Sequence, residues 1–238
     1  MRATAVRVLR QVRHDPRTVG LVVVVPAALV ALMAWVYSGT PVFDRVGAPM
    51  LALFPFTVMF LVTSLTTLRE RQSGTLERLL TTPLSRGALI GGYALAFGLL
   101  AAVQAAAATA VALAVGLDVE GSLPALLGVA VLVAVLGTAL GLLASAFATT
   151  ELQAVQFMPA FVLPQLLLCG LLRPREDLPT GLRELSSLLP LSHAVDAVTT
   201  LTAAGASAAQ TLGPVAVVLG FTVAALAGGS LTLRRRTP

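Results

Sequence analysis

The side chains that could do chemistry are few, and what is missing narrows the options. Among 238 residues, 16 are basic, 11 acidic and 2 histidine, and every basic residue is an arginine. A G-x-x-x-x-G-K-[ST] loop needs its lysine to reach a nucleotide's phosphates, so a chain without lysine holds no ATP that way. Two histidines and one cysteine do not make a structural zinc set, and neither G-x-S-x-G nor H-E-x-x-H occurs. Cys169 lies in an apolar run and has no partner for a disulfide within the chain; it reads as a small buried hydrophobe. His193 and Asp196 are spaced i, i+3 and could share a helix face as an acid–base or metal pair. As an isolated pair they read better as a solvated face. Glu176, Asp177 and Glu184 form the only other acidic group. No catalytic residue and no metal site are expected.

One stretch is dense in ordered chemistry: "TLRERQSGTLERLLTTPLSR", residues 67–86. Ser73-Gly74-Thr75 breaks a preceding helix and offers capping oxygens to the next. Glu77 falls in the first turn, where an acid suits the helix dipole. Leu76, Leu79 and Leu80 share a face at i, i+3, i+4, and Pro83 stops the helix. The product is a short helix with an apolar face to bury and a charged face to show. On geometry alone it either docks on a partner or merely covers the ends of its neighbours.

The elements that must position this stretch are membrane spans. The chain is 57% hydrophobic and 11% charged, with mean hydropathy +0.90, whereas soluble domains carry roughly 25% charged residues. Six apolar runs approach the ~20 residues a spanning helix needs: 19–38, 49–68, 87–116, 123–149, 155–172 and 211–233. The fold class is therefore an all-α integral membrane protein, one membrane domain over 1–238. The run 19–38 is too long, and lacks the small-residue cleavage pattern, for a signal peptide; it reads as a retained first span. Arginines set the orientation. Twelve lie before the first span, between the second and third, or after the sixth; four lie on the opposite side. Both termini and the 69–86 segment are thus expected in the cytoplasm. Residues 2–13 form an amphipathic helix with Ala5, Val8, Leu9 and Val12 on one face, Arg2, Arg10 and Arg13 on the other, and Val6 out of place; within 1–18 it would lie in the headgroup layer. Residues 173–207 are external. Pro174, Pro179 and Pro190 divide them into two short helices resting at or dipping into the outer interface. Inside the spans the polar groups are Gln104, Gln156, Gln165 and scattered Ser and Thr. Ion-driven transporters place ionisable groups at that depth. A transporter with neither such groups nor its own ATPase must receive work from another protein. A membrane-embedded enzyme and an ion-coupled secondary transporter stand as alternatives.

The residues "RERQSGTLERLLTTPLSR" between the second and third spans resemble the cytoplasmic connection of ABC-type-2 permeases, the membrane subunits of ATP-driven exporters. The matching positions are Glu70, Gly74, Thr75, Leu76, Glu77, Leu79, Leu80, Thr82, Pro83 and Arg86. The leader "LRQVRHDPRT" is similar to that family's interfacial helix, and "LPTGLRELSSLLPLSHAVDAV" to its last external segment. The subfamily most resembled is the daunorubicin drug-resistance type. The resemblance implies a coupling helix at 75–82 seated on a separate ATPase subunit, with ATP and Mg held by that partner and two copies of it expected. It further implies a second permease copy or paralogue, a bacterial-type plasma membrane, and export of a hydrophobic or amphipathic drug, antibiotic or lipid. The fifth span borders the path in that family, which makes Gln156, Pro159, Pro164 and Gln165 candidate path residues. No nucleic acid is implied as a partner.

Overall fold

The computed structural model describes residues 2–40, 42–75, 86–203 and 208–232. Among these residues the chain is helical, with no strand. Helix α1 (Arg2–Arg13) leads into α2 (Pro16–Val36), α3 (Val42–Gln72), α4 (Arg86–Ala114), α5 (Leu123–Ser145) and α6 (Glu151–Leu168). A short 3-10 turn (Arg175–Asp177), α7 (Thr180–Ser187), α8 (Pro190–Thr202) and α9 (Ala208–Thr232) complete the order.

Local chemistry starts these helices where it should. Asp15 caps α2, accepting from the Thr18 N–H at 3.2 Å, and Pro16 sits in the first turn, where its missing donor costs nothing. Thr150 caps α6 from its side chain to the Gln153 N–H (3.2 Å), while the Gln153 side chain returns to the Thr149 N–H (2.9 Å). Two orphan donors are thus satisfied by one exchange.

Helices α3 and α5 form the centre of the bundle. Of the most apolar window in each, 67% and 61% is buried, against 17% for α2 and 22% for α9. The latter two therefore lie on the outside of the bundle, and α3 and α5 at its centre. The α3–α5 crossing is made by Gly137 and Gly141, one turn apart on α5. A Cβ on them would sit 2.3 Å from the Phe56 carbonyl oxygen and 2.5 Å from that of Phe60. Small residues let backbones approach this closely in membranes, where the lipid itself gives helices no hydrophobic reason to associate.

Among the described residues, five helices (α2, α3, α4, α5 and α9) are long and apolar enough to cross a bilayer. The run expected as a fifth span, 155–172, is α6, which has 18 residues. It falls outside that group because Glu151, Gln153, Gln156 and Gln165 dilute its hydropathy. It nevertheless runs antiparallel along α3. Glu151 pairs with Arg69 near one end of α3, and Leu171 and Leu172, just past α6, share a cavity wall with Val42 and Val46 at the other. Helix α3 itself exceeds expectation: 31 residues, about 46 Å at 1.5 Å each. A hydrocarbon core of about 30 Å leaves a turn or more protruding, so the polar Arg69–Gln72 stretch lies beyond it.

The two external helices expected to rest at or dip into the outer interface divide between those two placements. Leu182, Leu185 and Leu188 around α7 are exposed, as the resting placement would have them. Helix α8 is instead inserted among α3, α5 and α9, with Leu191, Ala194, Val195, Val198 and Leu201 all buried.

Candidate functional site at the end of the third helix

Helix α3 ends where the sequence broke it. The Ser73 N–H reaches back to the Arg69 carbonyl (2.9 Å) and the Gly74 N–H to that of Arg71 (3.2 Å). Gly74 has φ +70°, the left-handed conformation that closes many helices and that glycine adopts without a Cβ penalty. The hydroxyls of Ser73 and Thr75 are 2.9 Å apart. The chain then leaves into 76–85, so Leu76, Glu77, Leu79, Leu80 and Pro83 lie outside the described residues.

The last turn of α3 is tied in four directions by four consecutive side chains. Arg69 makes a fork to Glu151, Nε to Oε1 at 2.8 Å and Nη2 to Oε2 at 2.9 Å, reaching the start of α6. Arg71 Nη1 donates to the Ala146 carbonyl (3.1 Å), at the end of α5. Gln72 Nε2 donates to the Thr149 carbonyl (2.9 Å), in the link between α5 and α6. Between them Glu70 turns inward, its side chain 4% exposed. It accepts from Arg7 of α1 at 3.0 and 3.5 Å and from the Tyr93 hydroxyl of α4. Arg7 also donates to that hydroxyl (2.8 Å), and its guanidinium carbon lies 5.8 Å from the Tyr93 ring centre.

Each tie depends on how its element is built. Ala5, Val8 and Val12 bury the apolar face of α1 in a cluster with Leu89 and Ile90 of α4, which brings Arg7, on the flank of that face, to Glu70. Val6 stays exposed, as its position off the stripe requires. Burial, the largest single influence, would lower the Arg7 pKa; the hydrogen bonds and charges of Glu70 and Tyr93 together outweigh it and raise the value. The arrangement commits each of these side chains to a partner within the chain. It thereby holds five helices together at the root of 76–85.

Of the expected site residues, Glu70 is central and Gly74 and Thr75 form the exit. Arg7, Tyr93 and the Arg69–Glu151 fork were not foreseen. Only the unbroken polar run Arg69-Glu70-Arg71-Gln72 at the end of an apolar helix hinted that something must meet it. The candidate path residues do not converge. Gln156 and Pro164 are exposed and Pro159 is half-buried. Gln165 is buried and engaged in packing: its Oε1 accepts from the Leu191 N–H (3.2 Å) at the start of α8, and its Nε2 donates to the Phe161 carbonyl (3.0 Å). His193 bonds the Ser187 carbonyl (2.8 Å), and Asp196 pairs with Arg175. Burial holds the Asp196 carboxyl above its ordinary range despite that arginine. No group of three His, Cys, Asp or Glu among the described residues could hold a metal.

Comparison with known proteins places this geometry. The family model described as ABC-2 type transporter matches residues 1–202. The chain is similar to the "Probable multidrug ABC transporter permease YbhR" of Escherichia coli K12, at 29% identity over 148 residues, covering 62% of this chain and 40% of that protein. It is similar also to the "Linearmycin resistance permease protein LnrN" of Bacillus subtilis 168, at 25% identity over 184 residues, covering 75% and 48%. The chain thus spans less than half the length of these curated relatives.

Proposed function

The chain belongs to the ABC-2 type transporter family, and on that premise we propose that it is a membrane subunit of an exporter driven by a separate ATPase. Its 75–82 helix would be the contact through which that ATPase acts. The observation that supports this is the four-way tie at Arg69–Gln72. A segment docked on a moving partner needs a root that passes its displacement to several helices at once. Here one push on 76–85 would move the end of α3, and with it α1 and α4 through Glu70, α5 through Arg71, and α6 through Arg69.

The proposed assembly is two permease copies, or this chain with a paralogue, on two ATPase subunits that hold ATP and Mg. It sits in a bacterial-type plasma membrane with both termini in the cytoplasm, on the side of Arg69–Gln72 and most of the arginines. The cargo is a hydrophobic or amphipathic compound. Apolar spans with few polar groups favour it, and the relatives' names, multidrug and linearmycin resistance, point the same way.

The test is co-purification and vesicle transport with candidate ATPase subunits from the same genome. Glu77→Arg and the pair Leu79→Asp, Leu80→Asp should reduce ATPase capture and ATP-driven export while the melting temperature in detergent holds. Full ATP-coupled export by these variants would refute the docking assignment. Transport that continues without ATP but collapses with an ion gradient would refute the exporter reading itself.

A further inference from the structure

At the end of the molecule opposite Arg69, the chain from Gln165 to Thr202 is stitched to itself. Ser186 Oγ donates to the Leu168 carbonyl (2.8 Å) and lies 3.1 Å from Ser192 Oγ. Gln165 holds the Leu191 N–H (3.2 Å), and His193 Nε2 is bonded to the Ser187 carbonyl (2.8 Å). Gly170 turns the chain at φ +94°, and Arg175 folds back over it to pair with Asp196. These bonds join the end of α6, the 3-10 turn, α7 and α8 to one another. Gln165 also turns back to the Phe161 carbonyl in its own helix. Among the described residues, every other side-chain hydrogen bond and ion pair of 165–202 has both ends inside the segment.

The seat of this segment in the bundle is of another kind. The buried face of α8, from Leu191 to Leu201, shares one apolar cluster with Leu51 of α3, Leu126 and Val129 of α5 and Val218 of α9. Gly121, in the link before α5, lies so close to the end of α8 that a Cβ on it would be 2.0 Å from the Leu201 carbonyl oxygen. Such contacts are short-ranged and non-directional. Leaving them strands no buried donor or acceptor, whereas breaking the stitches inside the segment would. The way into the segment is bendable. Pro164 lacks the N–H that would reach the Ala160 carbonyl. It stands between Phe161, whose ring lies 6.2 Å from that of Phe60 on α3, and Gln165, which is bonded to α8.

We propose that residues 165–202 form a rigid external cap that bends away at Pro164 and lifts as one body from its apolar seat to release cargo. The release step rests on the exporter reading; the motion of the cap does not. A hydrophobic cargo can replace α8 against that seat without uncovering an unpaired polar group.

Two measurements on the full chain, with Cys169 replaced by Ser, test the cap. The first is made in vesicles without any ATPase. Ala194 and Val198 are fully buried on α8, and Ala130 is equally buried in the outer part of α5. With an impermeant thiol reagent on the α8 side, Ala194→Cys and Val198→Cys should react roughly tenfold or more faster than Ala130→Cys, because local opening exposes the cap and leaves the frame closed. Rates no faster than that of Ala130→Cys would overturn the cap.

The second measurement is ATP-driven export with the partner ATPase. Asp44 on α3 and Thr202 on the cap line one cavity of about 390 Å³. Asp44→Cys with Thr202→Cys, tied across it by a reducible bifunctional thiosulfonate, should lose export and regain it on reduction. Arg175→Cys with Asp196→Cys lies wholly inside the cap and should do the reverse, exporting poorly until tied. Export unaffected by the first tie, or abolished by the second, would show that the segment does not move as one body. If no variant and no native chain exports with any ATPase, the exporter reading fails, and the thiol rates still decide the cap.

Discussion

Glu70 and Glu151 are both acids paired with arginine, and their surroundings give them different weights. Glu70 is buried under α1, so removing its charge strands a half-buried guanidinium and an oriented phenol. Hydrogen bonds to charged groups are worth about 1.5–3 kcal/mol. Glu70→Gln should therefore cost about 3 kcal/mol and Tyr93→Phe about 1 kcal/mol, read as loss of thermal or denaturant stability in detergent. Glu70→Gln with Arg7→Met should cost less than the sum of the two single changes, because the second removes the charge that the first leaves unpaired. Glu151 sits at the surface with Arg69, where ion pairs contribute about 0–1 kcal/mol and are screened by salt. Glu151→Gln should leave stability nearly unchanged. An equal loss in both variants would mean that the tie is not organised around Glu70. Glu70 was legible because it lies in a motif. Arg7 and Tyr93 were not, because their partner lies 63 and 23 residues away in the chain and a helical wheel of α1 shows only that Arg7 flanks the apolar face.

Helices in this bundle meet through small residues and single polar hooks, and each makes a distinct prediction. Gly137→Ala and Gly141→Ala would drive a Cβ into backbone carbonyls of α3, which cannot swing aside as a side chain can. Each should destabilise by about 1–3 kcal/mol, the range for overpacked sites. Gly128→Ala on the same helix meets nothing within 4 Å and should be neutral or stabilising by up to about 1 kcal/mol. Melting temperatures of the three variants decide the matter, and a uniform response would remove the crossing from the account. Gln165→Leu should leave the Leu191 N–H without its acceptor at about 1–2 kcal/mol and loosen α8, visible as faster amide exchange at Leu191–Ala194. Hydropathy located the long helices well, since burial in lipid needs only composition. It could not show that α6 is a short helix braced along α3, or that α8 is inserted, because both depend on packing partners distant in sequence. Gln165 looked like a path residue for the same reason: an in-span amide announces its need for a partner and says nothing of which one.

Across the molecule, the antiparallel course of α6 along α3 fixes which loops share a side. With Cys169 replaced by Ser, single cysteines at Ser73 and Thr149 should react with an impermeant thiol reagent from one face of sealed vesicles, and cysteines at Ser38 and Arg173 from the other. Labelling of positions 149 and 173 from the same face would show that α6 does not cross. The arginine distribution leads to the same expectation without any contact, because charge asymmetry is a property of loops and needs no fold. The stretch 67–86 is equally plain as a pattern. The root at its base was hidden, being assembled from four separate stretches of chain, at Arg7, 69–72, Tyr93 and 146–151.

The length of α3 has a mechanical meaning. From Pro55 to Gln72 it spans about 26 Å, so a bend of about 5° at Pro55 becomes a sweep of about 2 Å at Gln72. Pro49 and Pro55 interrupt the backbone ladder in the outer half, where helices bend most readily. The inner stretch from Pro55 to Gln72 can then swing as a stiff arm about that joint while the outer turns stay seated against α8.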